Sequence, residues 1–241
     1  MMNEKKSHIL AEFAKAGWKL TDLQAEQFAR YYELLVEWNE KMNLTAITDF
    51  DEVVIKHFID SASGSLVCDF SSVENVLDLG TGAGFPGIPL KILYPDTEFV
   101  LMDSLNKRIT FLQEMIDQLG LQKITAVHGR AEEMARNEDY REQFDVCTSR
   151  AVANTSTLLE YCIPFVKVDG CFVAYKSGKF QEEIVGAKKT LYLLQTELEL
   201  EKNFMLADTD MERTLVVFRK RGKTSKKYPR KAGMPSKQPL G

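Results

Sequence analysis

The sequence predicts an α/β protein in which a mostly parallel sheet of seven strands is covered by helices on both faces. Strand-like and helix-like segments alternate, with short links, between about residues 72 and 220. A glycine-rich loop follows the first strand, as in nucleotide-binding sheets. With 241 residues, 44% of them hydrophobic, the chain is long enough for one large domain or for a domain with an extension.

The chain divides into three zones, which are a helical N-terminal extension at 1–71, an α/β domain at 72–220 and a basic C-terminal tail at 221–241. In the first zone, Thr21 and Gln24 predict a capping box. Apolar residues then recur at helical spacing, which we interpret as a packing face. These residues are Phe28, Tyr31, Leu35, Trp38 and Met42.

The second zone supplies the strands of the sheet. They are predicted at 75–79, 98–103, 123–128, 143–149, 170–176, about 194–200 and 213–219. Helices are predicted between them, notably at 105–119 and 153–167. The sequence does not decide whether the last strand runs antiparallel to its neighbours.

The first strand ends in an acid and then a loop with three alternate glycines. Asp78 is followed by Gly80, Gly82 and Gly84, and glycine lets a bound molecule touch the backbone because it has no Cβ. The dinucleotide pattern G-x-G-x-x-G fails because its sixth position is Phe85, and no Lys-Ser/Thr follows as in a P-loop. An acid here repels a pyrophosphate and favours a cation. The loop therefore favours S-adenosylmethionine, which carries a sulfonium and an ammonium but no phosphate.

Acids also follow the next two strands. Asp103 ends the second strand 23 residues after Gly80, where nucleotide-binding units place an acid on the ribose hydroxyls. It also suits the N-cap of the following helix, and the two roles are compatible. After the third strand, Ala131 and Glu132 suit the border of an adenine ring. Glu132 equally suits the start of a helix, and the sequence does not choose between these roles.

Arg150 directly follows the fourth strand, where a charge needs a carboxylate, a phosphate or a substrate as partner. A plain salt bridge is the competing interpretation. The Asn/Asp-Pro-Pro-aromatic motif of amine-directed base methylation is absent here, and Cys147 and Cys171 suit packing better than thiolate chemistry. A ring nitrogen with a free lone pair, such as guanine N7, needs neither device. His57 and His128 lack clustered ligands, so no metal is predicted.

Composition and charge bound the location and the partners. No apolar run is long enough to span a bilayer, no signal core follows the N-terminus, and the four cysteines form no C-x-x-C pair. We therefore expect a cytoplasmic protein with reduced cysteines and no membrane partner. From Arg219 onward there are nine basic residues and no acidic one, whereas the rest has 22 basic and 35 acidic residues. This asymmetry indicates either an anionic partner or a solvated terminus.

Several stretches taken together carry a family resemblance. They are Trp38-Asn39 with Asn43-Leu44-Thr45, His57-x-x-Asp60-Ser61, the glycine loop extended by Phe85-Pro86-Gly87-Ile88-Pro89, Asp103-Ser104-Leu105-x-Lys107-Arg108, His128-Gly129-Arg130-Ala131-Glu132, Thr148-Ser149-Arg150-Ala151 and Pro229-Arg230-Lys231-Ala232-Gly233-x-Pro235. With these stretches the chain resembles the bacterial ribosomal RNA small-subunit methyltransferase G family, from about residue 20 to the C-terminus.

The resemblance implies a methyltransferase-type Rossmann sheet and methylation of N7 of guanine 527 in 16S rRNA, by direct attack on S-adenosylmethionine. It implies that Gly80, Phe85, Ala131, Glu132 and Arg150 contact the cofactor, and it places no catalytic base. The implied partner is 16S rRNA or the small ribosomal subunit, and we expect a monomer. Two alternatives are a methyltransferase of another RNA and a noncatalytic ribosome-binding protein.

We extend this resemblance in two ways. Arg150 becomes the candidate for a residue near the methyl-transfer centre. Basic tail residues become candidates for contacts with RNA phosphates. These tail residues are Arg221, Lys226, Lys227, Arg230 and Lys231. The helical zone at 1–71 has two possible roles, as a structural cap or as an RNA-docking surface.

Overall fold

A computed structural model describes residues 2–150, 153–176, 180–207 and 209–240. Within these ranges the α-helices are α1 Met2–Lys15, α2 Asp22–Met42, α3 Phe50–Val53, α4 Asp60–Ala62, α5 Gly87–Leu93, α6 Asn106–Gln118, α7 Ala131–Met134, α8 Thr155–Cys162, α9 Phe180–Leu193 and α10 Met234–Lys237. The strands are β1 Asn75–Leu79, β2 Glu98–Asp103, β3 Ile124–His128, β4 Phe144–Ser149, β5 Val166–Lys176, β6 Thr196–Met205 and β7 Glu212–Lys220. A π-helical turn at Val54–Ile59 joins α3 to α4.

The seven strands form one sheet in the order β3-β2-β1-β4-β5-β7-β6. The pairs among β1 to β5 are parallel, whereas β7 runs antiparallel to both β5 and β6. The predicted α/β class with seven mostly parallel strands is confirmed, and the open question about the last strand is answered. The carboxyl ends of β1 to β4 meet at one edge, where the strand order reverses between β1 and β4 and ligands bind in such sheets.

Several element boundaries differ from the predicted ones, among them the end of β6 at Met205 rather than at about 200, and two lie around Pro164. The helix predicted at 153–167 ends at Cys162, and β5 begins at Val166 rather than at 170. Pro164 lies between them in a 3-10 turn, and proline ends a helix because it has no N–H to donate. At the other end, the side chain of Asn154 accepts a hydrogen bond from the Ser156 N–H and caps α8.

The central strands β1 and β2 bury side chains on both faces of the sheet. Val76 and Leu101 belong to one apolar cluster, and their chain neighbours Leu77 and Met102 belong to the other. The first cluster also contains buried residues of α1, α2, α5 and α6, and the second contains those of α8 and α9. Burial on both faces explains why the strands are continuous apolar runs.

The N-terminal helices share the first of these clusters. The capping box between Thr21 and Gln24 is present, and Phe28 and Leu35 of α2 are fully buried. Tyr31 of α2 donates its hydroxyl to the carbonyl oxygen of Ala83, 2.5 Å away in the glycine loop. The apolar stripe is therefore a packing face, as predicted, and α2 supports the loop.

The basic tail is hydrogen-bonded to the α/β domain at several points between Arg221 and Pro235. Arg141 donates to the carbonyl oxygens of Thr224, Ser225 and Tyr228, and the carboxylate of Glu142 accepts from the Thr224 N–H. These bonds bind the tail backbone, so the tail is an ordered part of the fold and not a solvated end.

None of the helices in the described ranges has the length and apolar character of a membrane span.

Candidate functional site

The glycine loop leaves β1 at the carboxyl edge of the sheet. Gly80, Gly82 and Gly84 have φ angles of +70°, +62° and +94°, which favour glycine. A Cβ at Gly84 would lie 2.5 Å from Ile88 and 2.8 Å from the Tyr31 hydroxyl, so this glycine permits close packing. A Cβ at Gly82 would meet no described atom within 4 Å. The loop therefore packs tightly at Gly84 and leaves open space at Gly82.

Asp78 lies beneath this loop and is fully buried. Its carboxylate accepts hydrogen bonds from the Thr81 hydroxyl at 2.6 Å, the Gly87 N–H at 2.8 Å and the Thr148 hydroxyl at 3.3 Å. These bonds join the loop to the start of α5 and to β4. Asp78 thus supports the loop through backbone and hydroxyl partners. Its contact with a cofactor cation stays a prediction.

Burial raises the pKa of Asp78 to about 6, although its hydrogen bonds act in the opposite direction. The unfolded carboxyl has a pKa of about 3.9. Between pH 6 and 4 the folded protein therefore holds a proton that the unfolded chain does not, so this group favours folding more as the pH falls. Above pH 6 Asp78 is ionised in the folded protein as well, and burial of this charge then lowers the free energy of unfolding by roughly 3 kcal/mol.

We expect Asp78→Asn to remove this pH dependence. Compared with the variant, the native protein should gain roughly 2 kcal/mol of unfolding free energy between pH 7 and pH 4, since the unfolded carboxyl is itself partly protonated at pH 4. Urea denaturation of both proteins across that range measures the difference. Burial lowers the pKa of His57 to about 4, so this group makes the folded protein less stable as the pH falls. Both proteins contain His57, and the comparison between them cancels its effect. Parallel pH profiles for the two proteins would contradict the buried titration of Asp78.

Asp103 ends β2 beside the glycine loop and is also buried. Its carboxylate accepts from the Gly82 N–H at 3.0 Å, the Leu105 N–H at 2.9 Å and Arg108 at 3.0 Å. The helix that follows begins after Leu105, so Asp103 precedes the N-cap and does not occupy it, contrary to one of its two predicted roles. A carboxylate has about four acceptor directions, and three are used, which leaves one for a ribose hydroxyl.

A cavity of about 400 Å³ opens at this edge, and we name it the glycine-loop cavity. Gly80, Asp103, Ala131 and Glu132 line it, so the structure brings four of the predicted site residues together. Its other lining residues are Leu79, Met102, Ser104, Arg108, Gly129, Arg130, Ser149, Ala153, Leu158, Tyr161, Gly233 and Ser236. Asp78, Gly82, Gly84, Phe85 and Arg150 do not belong to this lining.

The C-terminal tail closes one side of the glycine-loop cavity. Gly233 and Ser236 line it, and the Gly233 N–H donates to a carboxylate oxygen of Glu132 at 2.9 Å. Thr157 of α8 donates its hydroxyl to the Pro235 carbonyl oxygen. Sequence reasoning missed this wall because the charge of the tail indicated an outside partner, although Gly233 and Pro235 belonged to the motifs that carried the resemblance.

Arg150 lies at a second cavity, of about 780 Å³, which we name the arginine cavity. Its guanidinium donates to the Asp60 carboxylate at 3.0 Å and to the Lys56 carbonyl oxygen at 3.2 Å. It also lies 4.8 Å from the centre of the Phe85 ring, and that ring stacks on His57. The competing salt-bridge interpretation of Arg150 is therefore present in the structure. Phe85 is a buried support for Arg150.

The tail cations predicted to meet RNA fall into two groups. Arg230 donates to the buried carboxylate of Glu160, and Arg221 pairs with Glu197. Lys226, Lys227 and Lys231 are exposed. The two paired arginines already have carboxylate partners within the fold, so the three lysines are the better candidates for phosphate contacts.

The glycine-loop cavity fits a nucleoside-based cofactor. Asp103 keeps an acceptor direction, Gly80 exposes backbone, and Leu79, Met102 and Leu158 supply apolar surface for a ring. Among the described residues, no group of three or more His, Cys, Asp or Glu side chains is arranged to hold a metal ion. The arrangement therefore suits a molecule with a ribose and a flat base.

The chain is similar in sequence to a family of rRNA methyltransferases. Residues 24–214 match the family model described as rRNA small subunit methyltransferase G. The ribosomal RNA small subunit methyltransferase G of Lachnoclostridium phytofermentans is 55% identical over 93% of this chain and 93% of its own. The protein of the same name from Exiguobacterium sp. strain AT1b is 52% identical over 99% of this chain and 100% of its own.

Solved structures that are more distant in sequence have the same fold. A putative O-methyltransferase from Klebsiella pneumoniae superposes with a TM-score of 0.58 at 12% identity, over 92% of this chain and all of that one. TYW2 of M. jannaschii, solved in complex with AdoMet, gives a TM-score of 0.51 at 16% identity, over 66% of this chain and 72% of that one. The sheet and its helices are thus a Rossmann-like methyltransferase fold.

Proposed function

Because this chain belongs to the rRNA small subunit methyltransferase G family, which makes it an S-adenosylmethionine-dependent rRNA methyltransferase, we propose that it methylates N7 of guanine 527 in 16S rRNA. The observation that carries the proposal is the glycine-loop cavity, where Gly80, Asp103 and Glu132 meet at the carboxyl edge of the sheet. The family resemblance supports the choice of the guanine and of its N7 atom.

The cofactor is held by residues of the glycine-loop cavity in this proposal. Asp103 accepts a ribose hydroxyl through its remaining acceptor direction, and the backbone at Gly80 lies against the cofactor. Ala131 and Glu132 border the adenine. Glu132 already accepts the Gly233 N–H, so the tail fixes the orientation of its carboxylate.

For this methyl transfer, the main task of the protein is to align the guanine with the cofactor. When bound, S-adenosylmethionine supplies a sulfonium methyl group that a lone pair takes directly. Guanine N7 carries no proton, so no residue has to remove one, and positioning supplies most of the rate enhancement. His57 is unsuited to general-base catalysis, since its ring contacts Thr45 and Arg150. Arg150, held by Asp60, is our candidate for a residue that positions the guanine.

RNA meets the protein partly through the exposed tail lysines. Lys226, Lys227 and Lys231 are exposed on a segment whose backbone is bound to the α/β domain. Ordered lysines attract the phosphate backbone through the release of its counterions. The tail thereby serves both the wall of the glycine-loop cavity and the approach of the RNA.

Methyl transfer to small ribosomal subunits from cells that lack this protein tests the proposal. We expect incorporation of a labelled methyl group from S-adenosylmethionine, followed by strand cleavage at 7-methylguanine at position 527 only. Subunits from cells that contain the protein are the matched control, since their site is already modified and should accept no label.

The other outcomes separate the alternatives. Label without cleavage at position 527 would indicate another atom or another nucleotide. Label in a different RNA would favour a methyltransferase with another substrate. Binding of subunits without any label would favour a noncatalytic ribosome-binding protein, and each of these results would overturn the proposed reaction.

A further inference from the structure

The arginine cavity adjoins the glycine-loop cavity. The two share Ala153 in their linings, whereas two further cavities in the described part of the chain share no lining residue with the glycine-loop cavity. A methyl acceptor must lie within about 3–3.5 Å of the donor carbon, so its site has to adjoin the cofactor site. The arginine cavity meets this condition. Its volume of about 780 Å³ is in the range of ligand pockets.

The lining of the arginine cavity carries more positive than negative charge. Four cations, Lys56, Arg150, Lys176 and Arg213, face two carboxylates, Asp60 and Glu183. Such an excess favours an anionic ligand in a partly enclosed site. The charge points to a ligand with a phosphate.

The internal ion pairs do not cancel this excess. Arg150 and Arg213 both bind Asp60, at 3.0 Å and 2.9 Å, so this group of three keeps one positive charge. Lys176 binds Glu183 at 2.7 Å, and Glu183 also accepts from Thr155. These bonds fix the cations in place without neutralising them all, which prepares them for a further anion.

The cations differ in depth. The Lys176 side chain is 7% exposed, whereas those of Lys56 and Arg213 are 28% and 22% exposed. Lys56 forms an ion pair with Glu52, which is half exposed and does not line the cavity. Lys56 and Arg213 are therefore the two most exposed of the four cations, with Arg150 next at 19%.

Apolar groups complete the lining. Ile47 and Met211 are partly buried at the cavity, and Tyr175 is buried with its hydroxyl donated to the Ser61 carbonyl oxygen. A flat base packs on such surface, while phosphates stay with the cations. The lining thus combines the two surfaces that a single nucleotide needs.

We propose that the arginine cavity receives the target nucleotide of the RNA, with Lys56 and Arg213 on its phosphates and the base packed against Ile47 and Met211. The proposal rests on the proposed function, because it places the acceptor of that reaction. In it, Arg150 positions the nucleotide from the side of Phe85, and Asp60 holds both arginines. Chemistry at a base requires the nucleotide to leave its stack and enter such a pocket.

Lys56→Gln tests the proposal, with Lys41→Gln as the matched control. Both lysines form an ion pair with a glutamate four residues earlier on a helical turn, but Lys41 lines neither the arginine cavity nor the glycine-loop cavity. We expect Lys56→Gln to raise KM for small subunits and to reduce the slope of log K against log salt by about 0.7–0.9, the share of one phosphate contact. The control should keep the native slope.

Arg213 provides a second pair of variants. Arg213→Gln should lose a similar part of the salt slope, whereas Arg213→Lys should retain most of it because the charge remains. The Kd of S-adenosylmethionine, measured by calorimetry, should stay unchanged in Lys56→Gln. A native salt slope in both Lys56→Gln and Arg213→Gln would overturn the proposal, as would a weakened cofactor Kd with native RNA binding.

The two proposals fail separately. If the native protein leaves guanine 527 unmethylated, the proposed function fails, while the salt slopes still report whether the arginine cavity contacts RNA. If the native protein methylates this guanine and the variants bind and react like the native protein, the arginine cavity alone is excluded as the acceptor site.

Discussion

Arg230→Ala is expected to destabilise the protein by about 3–5 kcal/mol and to weaken the binding of S-adenosylmethionine. The side chain of Glu160 is fully buried in α8 and accepts four hydrogen bonds from Arg230, one from its backbone N–H and three from its guanidinium. Without the guanidinium, a buried carboxylate keeps a single backbone partner. Such an uncompensated charge is among the largest penalties that a single substitution causes.

The effect should reach the cofactor because Arg230 anchors the tail beside its cavity. Gly233, three residues later, donates to Glu132, and both line the glycine-loop cavity. Release of the tail therefore removes one wall and one hydrogen bond that orients Glu132. Urea denaturation measures the loss of stability, and calorimetric titration with S-adenosylmethionine measures the loss of affinity.

Arg219→Ala is the matched control for this prediction. Arg219 also forms a bidentate pair, with Glu199. It donates to the Asp169 carbonyl oxygen, as Arg230 does to that of Gln238. Glu199 is 35% exposed, so water replaces the lost guanidinium and the cost should stay below about 1 kcal/mol. Equal losses of stability in the two variants, or unchanged cofactor affinity in Arg230→Ala, would contradict the role of the tail as a wall.

Asp103→Ala should raise the Kd of S-adenosylmethionine by about 10–100-fold. The substitution removes the acceptor for a ribose hydroxyl, and a hydrogen bond to a charged group contributes about 1.5–3 kcal/mol. It also leaves the Gly82 and Leu105 N–H groups and Arg108 without this acceptor, so the loop loses part of its support. Calorimetric titration with the cofactor measures the effect.

Asp145→Ala separates cofactor binding from stability in this experiment. Asp145 accepts from two backbone N–H groups, those of Glu74 and Asn75, and from the cation of Lys167, which is the same kind of partner set. It lies near the start of β4, at the opposite edge of the sheet from Asp103. We expect a similar loss of stability but a native cofactor Kd. A Kd that rises equally in both variants would remove Asp103 from the site.

Patterns of local sequence predicted most of the sheet. The apolar runs that became β1 and β2 were predicted with their observed bounds, because strands buried on both faces are continuous apolar segments. The glycine loop was predicted from its three alternate glycines, and the φ angles observed there are left-handed ones that favour glycine. The helix predicted at 153–167 was too long, since the turn around Pro164 depends on how the chain enters β5.

The candidate site was predicted only in part. Gly80, Asp103, Ala131 and Glu132 meet in one cavity because they follow the ends of neighbouring parallel strands. By its place in the motif, Asp78 was predicted to belong to the same site as these four residues. Its carboxylate instead lies beneath the loop and accepts hydrogen bonds from Thr81 and Gly87. The direction of a side chain depends on packing, which no spacing records.

The sequence by itself determined the α/β class, the seven strands, the glycine loop and the family, because these follow from local periodicity and from motifs of contiguous residues. Only the tertiary structure decided that the basic tail forms a wall of the glycine-loop cavity, and that Arg150 and Arg213 share Asp60. Arg213 lies 153 residues from Asp60 and Gly233 lies 101 from Glu132. Contacts of that separation arise only when the sheet and its helices pack, since they depend on where the whole chain is placed.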